Sequence, residues 1–199
     1  MKLLLLAFEP IGSLRLDPSG QVAEKLCRRL SGDGVRAEAA LIPGTFSGCG
    51  READKAIEKA GPQVVVALAQ RGSCREITFE KRAYNRIDAP IPDREGVQPR
   101  NAVALEGGAD VYETALPIDR MAEAVRRQGI PAGISTDAGT FLCNALYYHL
   151  LRSGKGGHFG ALFVHLPYLR GQDVRHREAG MDVSEILRGL EAGLGIFGG

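Results

Sequence analysis

Three short apolar runs, Leu3–Ala7, Val64–Leu68 and Ala161–Leu166, constrain this chain most. None of them alternates with polar residues. A run of that kind and length reads as a strand covered on both faces, as strands of parallel sheets are. The intervening segments carry helical spacing. In Pro18–Leu30 the apolar residues Val22, Ala23, Leu26, Cys27 and Leu30 follow the i, i+3, i+4 rule, with Asp17 placed to cap and Pro18 at the first helical position. Val35–Ile42 reads as a strand, and Arg51–Ala60 as a helix stopped by Gly61-Pro62. Ile118–Gln128 reads as a helix closed by Gly129, and Ala132–Ser135 as a brief strand. Thr140–Leu151 reads as a helix capped by Thr140, and Ser184–Leu194 as a final amphipathic helix. Strands alternating with helices predict an α/β fold. The expected architecture is a single three-layer α/β/α domain over 1–199 with a mostly parallel central sheet, 183–199 being its C-terminal helix and tail.

Charge and cysteine usage narrow the function classes. Twenty-five Lys and Arg stand against 24 Asp and Glu, a formal net charge of +1. A dedicated nucleic-acid binder carries a basic face, so nucleic acid is not an expected partner. Leu3–Ala7 is too short to span a membrane, which takes about 20 apolar residues, and it lacks the cleavage site of a signal peptide. The expectation is a cytoplasmic protein with no membrane partner. Cys27, Cys49, Cys74 and Cys143 form no C-x-x-C pair, so neither a zinc site nor a redox motif is indicated. No metal or cofactor is expected. Glycine is abundant, 26 of 199 residues, without a collagen period, and should serve turns and close backbone approaches.

In open α/β sheets, sites lie beyond the carboxyl ends of the strands. Cys143 follows the Gly139-Thr140 turn and falls in the first helical turn after it. The helix dipole and unpaired N–H groups there favour a thiolate and can hold an oxyanion. His165 ends an apolar strand and could serve as its base. Glu80, at the start of an irregular stretch from Arg71 to Gly107, could orient that histidine. Phe8, Phe46 and Phe141 fall at the same sheet edge and could wall an apolar pocket, with Gln70 offering an amide. Bland readings stand beside these: Cys143 as a small core residue, His165 bonded to backbone, Glu80 a surface carboxylate paired with Lys81 or Arg82. His149 lies inside a helix, and His158 and His176 lie in solvated loops. Ile77–Ala83 reads as a strand, and long irregular segments such as 71–107 are often functional loops.

Several blocks carry a family resemblance: FEP near the start, IPGTF at 42–46, ITFEKRAYN at 77–85, IPD at 91–93, LPI at 116–118, GIPA at 129–132, AGTFLCN at 138–144 and HLPYL at 165–169. Together they resemble the pyroglutamyl peptidase I (pyrrolidone carboxyl peptidase) family of cysteine peptidases. The resemblance implies Cys143 as nucleophile, His165 as general base and Glu80 as the residue orienting it. It implies Phe8, Ile11, Thr45, Gln70, Ile91, Phe141 and Leu142 as residues binding the substrate. The implied reaction removes N-terminal pyroglutamate from peptides through an acyl-enzyme, with no cofactor. A homotetramer is implied too.

This chain departs from the family pattern in places. Ile11 stands where a second pocket phenylalanine is usual. Pro90 stands where an arginine is usual, a loss that Arg86, Arg94 or Arg71 would have to cover. The AGGR after the glutamine reads Arg71-Gly72-Ser73-Cys74, and Asp137 adds a negative charge before the nucleophile block. These departures motivate an alternative: a homologue that binds pyroglutamyl ligands with little turnover. A third reading takes Cys143 as a redox-sensing thiol.

Overall fold

The structure, a computed structural model, describes residues 1–9, 18–31, 34–172 and 180–197. Ile11, the cap assigned to Asp17, and His176 lie outside these residues. In chain order the elements are β1 (Lys2–Phe8), α1 (Ser19–Leu30), β2 (Arg36–Ile42), α2 (Cys49–Ala60), β3 (Val64–Gln70), β4 (Ile77–Glu80), β5 (Arg82–Tyr84), β6 (Val111–Glu113), α3 (Ile118–Arg127), β7 (Ala132–Ser135), α4 (Leu142–Gly154), β8 (Gly160–Leu166) and α5 (Val183–Gly195). Six strands form the central sheet in the order β2-β1-β3-β8-β4-β7. β1, β2, β3 and β8 run one way; β4 is antiparallel to β8 and parallel to β7.

The apolar runs behave as strands covered on both faces. On β1, Leu3, Leu5 and Ala7 face one layer, and Leu4, Leu6 and Phe8 face the other. β3 divides likewise into Val64, Val66 and Leu68 against Val65, Ala67 and Ala69. This follows from the two-residue period of a strand. The first layer comprises α1, α3 and α5, packing through Val22, Leu26, Met121, Val125, Leu187 and Leu190. The second comprises α2 and α4, packing through Ala53, Leu142, Leu146 and Tyr147. Fully burying one large apolar side chain contributes about 1.5–3 kcal/mol, so the two slabs hold the sheet between them.

Helix ends follow local chemistry at α2 and α5 but not at the start of α4. Gly61 closes α2 in the left-handed conformation, φ 54°, its N–H reaching Ile57 O at 2.8 Å. α5 starts at Val183, ahead of the expected Ser184, because the Asp182 N–H bonds Glu185 Oε2 at 3.0 Å. Thr140 does not cap α4. Its hydroxyl donates to Asp88 O at 2.8 Å, and extended Phe141 occupies the cap position instead. The predicted strand Ile77–Ala83 is split. Ile77–Glu80 joins the main sheet, and Arg82–Tyr84 pairs with Val111–Glu113, a strand too short to show periodicity.

One prediction concerns packing. A Cβ at Gly189 of α5 would lie 2.6 Å from Ile77 Cδ1 and 3.2 Å from Val125 Cγ1. Gly189→Val should therefore cost about 1–3 kcal/mol by overpacking, read as a lowered denaturation midpoint. An unchanged midpoint would contradict the tight α5–sheet contact. Among the described residues no helix is long and apolar enough to cross a membrane.

Candidate active site

β8 and β4 bring the first pair together. On β8, residues 161, 163 and 165 point toward α4, while Leu162, Val164 and Leu166 point away. On β4, Thr78 stands opposite His165 and Glu80 opposite Phe163, so Glu80 is the diagonal same-face neighbour of His165. The two side chains meet: His165 Nδ1 and Glu80 Oε1 are 2.7 Å apart. Both are buried, at 2% and 0% exposure. Neither bland reading applies, since Glu80 is not a surface carboxylate and His165 bonds a side chain rather than backbone. The Phe163 ring packs on the imidazole with centroids 5.0 Å apart. With Nδ1 occupied by the carboxylate, Nε2 is left to exchange a proton with a reacting group.

α4 supplies the thiol. Cys143 is the second residue of the helix, inside the first turn as expected, and is partly buried. It belongs to the apolar cluster on the α4 side of the sheet, with Phe163. One turn further along lies Tyr147, on the same helical face. Tyr147 packs on Phe163, centroids 5.8 Å apart, and its hydroxyl donates to Glu80 O at 2.8 Å. The helical face that carries Cys143 is thus turned toward the strands that carry His165 and Glu80. Burial pushes the Tyr147 hydroxyl far above its ordinary value, so it remains a donor.

The same cluster holds Phe8, Phe46, Phe141 and Leu142. The Phe46 and Phe141 rings meet edge to face with centroids 5.5 Å apart. The other predicted binding residues are placed differently. The Gln70 amide is engaged, donating to Pro167 O at 3.3 Å and exchanging bonds with the Gln172 amide. Thr45 Oγ1 accepts the Gly48 N–H at 3.1 Å and so secures the approach to α2. Ile91 is 55% exposed, in the loop beyond the wall.

Segment 85–100 is stitched down at both ends. Asp93 is buried and accepts the Phe46, Glu95 and Val97 N–H groups, each at 2.9 Å. The Asp88 N–H donates to Thr140 O at 2.9 Å, and the Thr140 hydroxyl donates back to Asp88 O at 2.8 Å. Asn144 was not singled out in the sequence, although it directly follows Cys143. Fully buried, it accepts the Tyr84 N–H and donates to Tyr84 O and Arg86 O at 2.8–2.9 Å. Only a side chain with both an acceptor and donors can do this, and the strand it meets lies 60 residues away. Of the three arginines named above, Arg94 pairs with Glu9, Arg86 is exposed, and Arg71 lies 3.7 Å from Glu80 Oε1.

Cys143 is only partly buried, whereas Cys49 is buried. No disulfide joins the four cysteines. Burial pushes Cys49 up to about 11 and also raises Cys74 and Cys27. A raised value leaves less thiolate near neutrality. At pH 8 only about one Cys49 thiol in a thousand is ionised. Iodoacetamide at pH 8, read by peptide mass spectrometry, should therefore modify Cys143 at least tenfold faster than Cys49. Equal rates would contradict that difference in environment.

An α/β/α layering with these elements is shared with known peptidases. The solved pyroglutamyl peptidase I of Bacillus amyloliquefaciens superposes with a TM-score of 0.91 at 32% identity, covering 96% of this chain and 94% of that one. The pyrrolidone carboxyl peptidase of Thermococcus litoralis gives 0.91 at 29% identity, over 98% and 92%. In sequence, the pyrrolidone-carboxylate peptidase of Yersinia pestis is 36% identical across 98% of this chain and 92% of its own length. Fold and similarity together make this a chain of a peptidase class. It belongs to the pyroglutamyl peptidase family, whose pattern matches residues 1–197.

Proposed function

We propose that this chain hydrolyses the bond after an N-terminal pyroglutamyl residue, with Cys143, His165 and Glu80 as its catalytic groups. The observation that carries the reading is the buried His165–Glu80 pair at 2.7 Å, on the sheet face that receives the first turn of α4. The Cys143 thiolate attacks the pyroglutamyl carbonyl carbon and forms the C–S bond. N–H groups of the first turn of α4 offer bonds to the oxyanion that develops. The carbon–nitrogen bond then breaks, and His165 delivers its proton to the departing amine. Water next attacks the thioester, giving its proton to His165, and the thiolate is released with free pyroglutamate. Glu80 holds the imidazole in one tautomer and balances the imidazolium charge.

The uncharged lactam ring calls for an apolar wall, and Phe8, Phe141 and Leu142, with Phe46, supply one beside Cys143. Gln70 and Thr45 act on this reading by holding the loops around the site, and exposed Ile91 stands at its lip. Ile11 completes the proposed set. The resemblance also supports a cytoplasmic homotetramer; light scattering in solution giving the mass of one chain would remove the tetramer.

The test is release of the leaving group from a chromogenic pyroglutamyl amide, with a burst of acyl-enzyme and no release from the corresponding prolyl amide. Binding of pyroglutamate without turnover would favour the weakly active homologue that Pro90 and Ile11 suggest.

A further inference from the structure

Arg71, through its backbone and its guanidinium, connects the three segments that carry the proposed catalytic groups. Its backbone N–H donates to Leu166 O at 2.9 Å, the residue after His165 on β8. Its Nη1 lies 3.7 Å from Glu80 Oε1, the same oxygen that meets His165. Nη1 also donates to Asp137 O at 3.1 Å. That carbonyl belongs to the turn between β7 and α4, which leads through Thr140 to Cys143. The Arg71 carbonyl in turn accepts the Cys74 N–H at 2.9 Å, so its backbone is held at both ends.

Glu80 needs such a neighbour. Its side chain is 0% exposed, and Oε2 has no hydrogen-bond partner among the described residues. An ionised carboxylate in that setting is costly unless opposite charge faces it. His165 provides charge only when protonated. Among the described residues, Arg71 is the permanent cation paired with Glu80. The other groups around the pair do not replace it. Tyr147 donates from α4 to the Glu80 backbone, and Cys74 and Glu76 lie in the loop before β4. The Asp137 carboxylate is turned to the Gly139 N–H at 2.9 Å.

We propose that Arg71 is a positioning residue of this site: it sets a permanent positive charge beside the Glu80–His165 pair and ties the β7–α4 turn that presents Cys143. The inference builds on the proposed function, but its test does not depend on turnover. Removing a fixed positive charge makes every nearby group hold its proton more tightly. The pH dependence of both Cys143 alkylation and turnover should therefore move to higher pH without Arg71. With the guanidinium 37% exposed and partly screened, a shift of about 0.5–1 pH unit is expected.

Three proteins are compared: wild type, Arg71→Met and Arg71→Lys. For each, the rate of Cys143 modification by iodoacetamide is followed against pH by peptide mass spectrometry. Turnover of a pyroglutamyl amide is followed in parallel. Arg71→Met should show the alkaline displacement and a kcat lowered by about tenfold or more, with KM little changed. Arg71→Lys should return the pH dependence toward wild type, because the charge is kept. Its kcat should recover only in part, because the ammonium on a shorter side chain does not reach the place from which Nη1 meets both Asp137 O and Glu80. Coincident alkylation profiles for wild type and Arg71→Met would overturn the proposal, whether or not turnover changed. A displacement that lysine fails to reverse would also overturn it, because the cause would then be the shape of the loop rather than charge. A wild-type protein without turnover would remove the proposed function, while the alkylation profiles still decided the role of Arg71.

Discussion

Cys143→Ser should abolish hydrolysis of a pyroglutamyl amide, lowering kcat/KM by at least about 10⁴-fold, the scale on which nucleophile loss acts in triad enzymes. Serine is close to the size of cysteine, and the site is only partly buried. The folded state should therefore change by less than about 1 kcal/mol. What changes is the acid strength of the nucleophile. A hydroxyl is not ionised by a helix N-terminus, so His165 would have to remove its proton in the transition state itself. The measurement is steady-state kinetics beside a denaturant midpoint, so that lost chemistry is distinguished from lost structure. Activity within tenfold of wild type would remove Cys143 from the mechanism. Loss of the acyl-enzyme burst together with an unchanged midpoint is the expected pair of results.

Glu80→Gln should lower kcat by about 10²–10⁴-fold with little change in KM, by analogy with amide replacement of the orienting carboxylate in serine peptidases. The amide has the shape of the carboxylate and fits the same buried place. Its NH₂ group can donate to His165 Nδ1, which favours the tautomer with its proton on Nε2. That tautomer cannot accept a proton at the reacting nitrogen. Substrate affinity should be spared because the apolar cluster that holds Phe8, Phe141 and Leu142 does not include Glu80. Substitution to alanine would be less informative, since it adds a cavity beneath β8. A Glu80→Gln enzyme with wild-type kcat would show that the 2.7 Å contact is structural only.

Much of this was legible in the chain itself, for reasons that are local. The runs at Leu3, Val64 and Ala161 are strands in the structure because unbroken apolarity requires cover on both faces, and α1, α3 and α5 on one side and α2 and α4 on the other provide it. Cys143 in a first helical turn and His165 near the end of a strand were also readable, being consequences of turn signals and of where a strand stops. The misses share one cause. Thr140 is a good cap by type, but its hydroxyl found the Asp88 carbonyl across the molecule. Asn144 looked like an ordinary helix residue until the backbone of β5 lay beneath it.

The sequence by itself determined which segments are strands and helices, and which side chains need burial, because period and apolarity act within a few residues. Tertiary structure alone decided that β4 enters antiparallel between β8 and β7. That placement aligns Glu80 with His165, 85 positions away, and sets Arg71 against both. Strand order and direction depend on how distant segments share one core, and no local pattern records which neighbour a strand will have. The charges around the proposed nucleophile are therefore a property of the packed sheet, while the nucleophile's own place at a helix terminus is a property of the chain.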